Sequence, residues 1–260
     1  MQNIDPLLFV QPLVVVAFSA GLIVYWRRRR RFSGAVLIYA LVAYAGAIAL
    51  KSVLQSFTYG AVSSAFGTES VQTGLYLGLQ TCFFEVGLAY VVARYAVSRR
   101  QMAGADGEAY GISLAFWENG ILIGALSLLN LSVTYVLIAD GLMPSSVYQT
   151  LVSSSQSLFD SPRQLAFPLA LGILERVSSL LAHFAWGYLC VLSAYLRKRT
   201  YFLVALPMGL LDALVPFDSA VPLWLFEAVV FLLSLMFLLV AWRTTRADRR
   251  SGYPAPPPRN

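Results

Sequence analysis

The feature that most constrains this chain is a series of apolar runs, each long enough to cross a bilayer and none alternating in the manner of a barrel strand. At 1.5 Å of rise per helical residue, about 20 apolar residues cover the roughly 30 Å of hydrocarbon. Such runs predict spans near Leu7–Trp26, Gly34–Leu54, Thr73–Val97, Tyr110–Ile138, Gln164–Leu196, Tyr201–Phe217 and Val221–Trp242. Lipid offers the backbone no hydrogen-bond partner, so each run must be a helix. Composition agrees: 58% of the 260 residues are hydrophobic and 12% charged, with a mean hydropathy of +0.67, whereas soluble domains are about 25% charged. The expected fold is therefore all-α, a multi-pass bundle of about seven transmembrane helices in the cell membrane.

Basic residues fall on alternate connections: Arg27 to Arg31, Arg99 and Arg100, Arg197 to Arg199, and Arg243, Arg246, Arg249 and Arg250, with only Arg163 on the opposite side. The positive-inside rule then puts the N-terminus outside and the C-terminus in the cytoplasm. The net charge of +6 is accounted for by topology and anionic lipid, so nucleic acid is not needed as a partner. Before the first apolar run, Met1 to Pro6 carries Asp5 and no basic residue, which reads as a retained anchor rather than a secretory leader. Asp140 to Arg163 is Ser-rich, with Pro144 and Pro162, and is expected outside, along the membrane surface. Residues 1–245 form one transmembrane domain in this reading. Residues 246–260, with the proline run Pro254 to Pro258, form a disordered cytoplasmic tail. No repeat of fixed period supports a duplicated transporter architecture. Cys82 and Cys190 fall in spans without metal or redox spacing and read as packing residues.

Function should show where the sequence is costly, and a charge at mid-bilayer costs at least about 2.5–3.5 kcal/mol on insertion scales. The interior ionisable residues are Glu85, Glu118, Glu175, Arg176, His183, Asp212 and Glu227. Counting helical rise from the nearest span ends puts Glu85, His183, Asp212 and Glu118 roughly 14–20 Å deep, close enough in level to meet. Glu175, Arg176, Ser179 and His183 can share one broad helical face. Gly87, Gly111, Gly120, Gly124, Gly187 and Gly209 allow close helix approach. Polar glue between helices is the competing explanation for each residue alone, and Glu227 is assigned to packing. Four costly groups at one depth exceed what packing needs.

A desolvated carboxylate suits proton abstraction from water, and an imidazole can donate to an oxyanion. Glu85 or Glu118 is the expected base and His183 the expected donor. One histidine with two or three carboxylates could also hold a divalent ion, but no H-E-x-x-H run is present. No residue is assigned as a metal ligand, and no cofactor is specified.

Four segments carry a resemblance: FFEVGLAY (Phe83 to Tyr90), YGISLAFWENGILIG (Tyr110 to Gly124), ILERVSSLLAHFAWGYL (Ile173 to Leu189) and LPMGLLDAL (Leu206 to Leu214). In order, spacing and one motif per helix, over roughly 73–214, they resemble the YhfC and PrsW branches of the intramembrane CAAX-protease-like superfamily. The resemblance implies an intramembrane endopeptidase, glutamic or metal-dependent, acting on membrane-embedded or lipidated substrates. It assigns Glu85, Glu118, His183 and Asp212 to catalysis, with Asn119, Glu175 and Arg176 in support. The sequence departs from the pattern at Val86, where a second glutamate is expected, and at Met208, where histidine is. At the expected basic position the nearest candidate is Arg94. The alternatives are a non-catalytic membrane binder and a proton-coupled transporter. A retinal protein is excluded, because Lys51 and Lys198 are the only lysines and neither lies in the last span.

Overall fold

The computed structural model describes residues 2–250. Most of the expected tail, including its proline run, lies outside the described residues. Among those described, the chain is helical without a strand. Among the described residues seven helices are long and apolar enough to cross a membrane: Pro6–Arg30, Gly34–Phe66, Val71–Ser98, Gly104–Ala139, Pro162–Leu196, Arg199–Phe217 and Leu223–Arg246, called the first to seventh spans. The protein is therefore a multi-pass membrane protein.

Local chemistry sets the span ends. The Ser33 and Ser70 hydroxyls accept from the amides of Ala35 and Thr73 and so cap the second and third spans. Ser161 and Gln164 close a capping box at the start of the fifth. The second span runs to Phe66, well past the expected Leu54. Residues 140–163 hold a short helix, Ser145–Ser154, and a 3-10 turn, Gln156–Phe159. Beside them Ile138 and Leu165 close a small apolar cluster with Ile4 and Leu8.

Packing follows the membrane pattern, with small residues inside and large apolar ones facing lipid. Ala40 and Ala47, Ala89 and Ala93, and Ala182 and Ala185 are buried where the second, third and fifth spans meet, while Phe57 and Leu203 are 81% and 63% exposed. Two close approaches fix the geometry around the polar interior. A Cβ on Gly209 would lie 2.5 Å from the Cys82 nitrogen, so the sixth span meets the third backbone to backbone. A Cβ on Gly187 would lie 2.6 Å from Gly111 Cα, which does the same for the fifth and fourth.

Besides three short 3-10 turns, three longer described segments depart from α-geometry, and each of these carries an acidic residue. Thr81–Val86 and Phe116–Ala125 are π-helical and hold Glu85 and Glu118, and Leu206–Phe217 is 3-10 and holds Asp212. A π turn changes the direction of the side chains after it. The 3-10 stretch rises about 2.0 Å per residue, which lengthens the 19-residue sixth span from about 28 Å to about 34 Å.

Candidate functional site

Glu85 and Glu118 leave their π-helical turns toward the fifth span, where His183 meets them. One donor atom from each of the three lies within 4.8 Å of the others. His183 Nε2 is 2.9 Å from Glu118 Oε2 and 3.6 Å from Glu85 Oε2. Nδ1 stands 2.9 Å from the Ser179 carbonyl oxygen. A carbonyl only accepts, so Nδ1 donates there and Nε2 turns its other face to the two carboxylates. Nε2 is buried, yet despite its closeness to Glu118 it makes no hydrogen bond of good angle. Three electron-rich atoms so placed repel one another unless a cation, a proton or a metal ion, lies among them.

The far side of each carboxylate is held by a basic residue. Lys51 Nζ is 2.5 Å from Glu85 Oε1, 3.2 Å from Asp212 Oδ2 and 2.8 Å from Thr81 Oγ1. The Thr81 hydroxyl also donates to Asp212. Arg176 Nη1 lies 3.4 Å from both Glu118 Oε1 and Asn119 Oδ1, and Nη2 pairs with Glu175. Asn119 returns a bond from Nδ2 to the Arg176 carbonyl at 3.3 Å, and Ser179 donates to Glu118 Oε1 at 3.0 Å. Glu85 and Glu118 are thus each anchored through Oε1 and present Oε2 to the imidazole.

All of these residues except Thr81 and Asn119 line a cavity of about 240 Å³, room for several waters at about 30 Å³ each. Leu211 and Val215 of the sixth span and Phe226 and Val230 of the seventh form an apolar part of its wall.

Of the residues expected from the sequence, Glu85, Glu118 and His183 form the centre. Asp212 joins it at one remove, through Lys51 and Thr81. Asn119 and Arg176 brace Glu118, while Glu175 sits at the rim with its side chain 43% exposed. Val86 and Met208 are buried apolar residues. Glu227 is also buried, with Oε2 unpartnered. Lys51 and Thr81 were not foreseen. Lys51 comes from the second span, outside the segment that carries the motifs.

The residues fit a divalent ion. Two carboxylate oxygens and an imidazole nitrogen form a recognised donor set, and the outer partners that orient ligands are in place. With a neutral imidazole, four carboxylates (Glu85, Glu118, Glu175 and Asp212) face two cations (Lys51 and Arg176) across the cavity, a formal surplus of two negative charges. Among comparisons with known proteins, the family model described as YhfC intramembrane metalloprotease matches residues 13–238. No curated protein and no solved structure matches the chain.

Proposed function

Because this chain belongs to the YhfC intramembrane metalloprotease family, we propose that it hydrolyses a peptide bond of a membrane-embedded or lipidated substrate in the cavity around Glu85, Glu118 and His183. The observation that carries this reading is the convergence of Glu85 Oε2, Glu118 Oε2 and His183 Nε2, each braced from behind, on a pocket enclosed by the apolar spans.

In this reading Glu85, Glu118 and His183 hold a divalent ion. Such an ion, when bound, polarises the scissile carbonyl and acidifies water. The two glutamates and the histidine, expected from the sequence as base and donor, become ligands, and the proton work passes to Asp212. Thr81 and Lys51 fix Asp212 through Oδ2, which leaves Oδ1 to take a proton from the attacking water. The water oxygen bonds to the carbonyl carbon. The C–N bond then breaks as Asp212 returns the proton to the leaving nitrogen. Arg176, on the cavity wall, donates to the developing oxyanion. The apolar wall of Leu211, Val215, Phe226 and Val230 accepts the side chains of an extended, locally unwound substrate. The hydrolytic unit covers about 73–214 with Lys51 added, within a single transmembrane domain of residues 1–245.

The test combines cleavage of a model transmembrane peptide with metal analysis of the purified protein. Wild type should cleave and carry about one divalent ion per chain. Glu118→Gln and His183→Ala should lose both, and Asp212→Asn should keep the ion while turnover falls about 10²–10⁴-fold. Equal turnover in all four proteins removes these residues from the mechanism. An inert wild type whose proton-coupled uptake depends on Glu118 replaces hydrolysis with transport.

A further inference from the structure

A second cavity, of about 740 Å³, lies toward the arginine-rich end of the bundle between the third, fifth and sixth spans. Arg94, Arg100, Arg197 and Arg199 line it with Ser193 and Tyr195, and among the described residues no acidic one contributes to its wall. All four arginines are exposed, and among the described residues none forms an ion pair with a carboxylate. We propose that this cavity binds a phosphate-bearing anion, the headgroup of an anionic phospholipid or a soluble phosphate compound.

Like charges gathered around one concavity repel each other, and guanidinium forks match phosphate oxygens in a bidentate way. The obvious competing explanation is that arginines complement the negative C-terminal ends of helices. That suits Arg100 and Arg197, which follow the third and fifth spans. It does not suit Arg199, the first residue of the helix Arg199–Ala205, where a helix disfavours positive charge. Nor does it suit Arg94, which lies inside Gly87–Ser98 before its last turn. Arg100 and Arg197 also hold left-handed backbones, with φ of 58° and 57°, uncommon for residues other than glycine. Both converge on the same cavity. Tyr90 on its wall is stacked on Phe202 at 4.3 Å, so packed helices hold part of the pocket while Arg100 and Arg197 enter from the short connections. Basic pockets between transmembrane helices at headgroup level are where anionic headgroups bind.

The proposal does not depend on the hydrolytic reading, and its test reads no cleavage. Thermal unfolding of the purified protein in neutral detergent is followed while short-chain phosphatidylglycerol, short-chain phosphatidylcholine or inorganic pyrophosphate is titrated in. Phosphatidylglycerol should raise Tm saturably and phosphatidylcholine should not. The double variant Arg94→Gln/Arg199→Gln should weaken the half-saturating concentration about tenfold. Arg28→Gln/Arg29→Gln, at exposed positions outside the cavity, should leave it unchanged and controls for loss of charge alone. Stabilisation by phosphatidylglycerol without pyrophosphate identifies a lipid headgroup. Equal or stronger stabilisation by pyrophosphate, lost in the same pocket variant, identifies a soluble phosphate. No response to either anion, equal weakening in both double variants, or an unaltered response in a folded pocket variant overturns the proposal.

Discussion

At the scale of single residues, Lys51 governs how the polar interior is kept together. A lysine at mid-bilayer is unfavourable by at least about 2.5–3.5 kcal/mol, and here it is offset by Glu85 and Asp212 at 2.5 and 3.2 Å. Removing the cation leaves two carboxylates facing each other in a poorly hydrated space. Lys51→Met should therefore lower stability by about 3–5 kcal/mol, the usual cost of breaking a buried pair. The lower end of that range is expected, because the Asp212 side chain is 38% exposed and solvent screens it in part. Lys51→Met/Asp212→Asn should recover much of the loss, since the second change removes the stranded charge. Unfolding in detergent checks both variants, and a Lys51→Met protein as stable as wild type would mean that another cation neutralises the pair. Lys51 was hard to read from the sequence for a physical reason. With the second span ending at Leu54, a lysine three residues earlier is an interfacial residue that can reach water along its own stem. The helix in fact continues to Phe66, which moves Lys51 to mid-helix and turns its charge inward. Glu85, Glu118 and His183 were legible because each lies far enough from both ends of its span to stay in the interior when an end moves by several residues.

At the scale of elements, helix-to-helix glycine contacts set the distances in the site. Gly209 carries the sixth span against Cys82, in the same π-helical turn that presents Glu85. Gly209→Ala should cost about 1–3 kcal/mol through overpacking and should impair cleavage, because the shift separates Asp212 from Thr81. Gly60→Ala is the matched control: a Cβ there meets nothing within 4 Å, and alanine in a helix interior is favoured by about 0.5–1 kcal/mol. Thermal unfolding and peptide cleavage together separate the two. If Gly209→Ala behaves like Gly60→Ala, backbone contact at that crossing does not position the site. The existence of the spans was readable because hydrophobic length alone specifies a helix in lipid. Their internal geometry was not. Thr81–Val86 and Phe116–Ala125 have the same apolar character as the α-turns on either side, and hydropathy does not distinguish π, α and 3-10 winding. The direction of Glu85 and Glu118, and the pairing of Lys51 with Asp212 across helices, therefore came only from three dimensions.

At the scale of the whole molecule, the arginines behave as one group even though they are scattered in sequence. Arg30 pairs with Glu108 at 3.1 Å, Tyr39 is hydrogen-bonded to Gln101, and Gly104 packs on the Tyr195 ring. These contacts gather 27–31, 99–108 and 195–199 at one end of the bundle. The opposite end carries the Tyr148 bond to Gln2 and the short helix Ser145–Ser154. Each basic residue near an anionic leaflet contributes about 1 kcal/mol, so the clustered end should face the cytoplasm and the short helix the exterior. Single cysteines read this directly, because the native Cys82 and Cys190 are 4% and 0% exposed and give little background with a charged maleimide. Ser146→Cys should label in intact cells. Ser98→Cys should label only after the membrane is opened. The reverse pattern would invert the molecule, placing the arginine-lined cavity on the outer leaflet and requiring its phosphate-bearing ligand to come from that side.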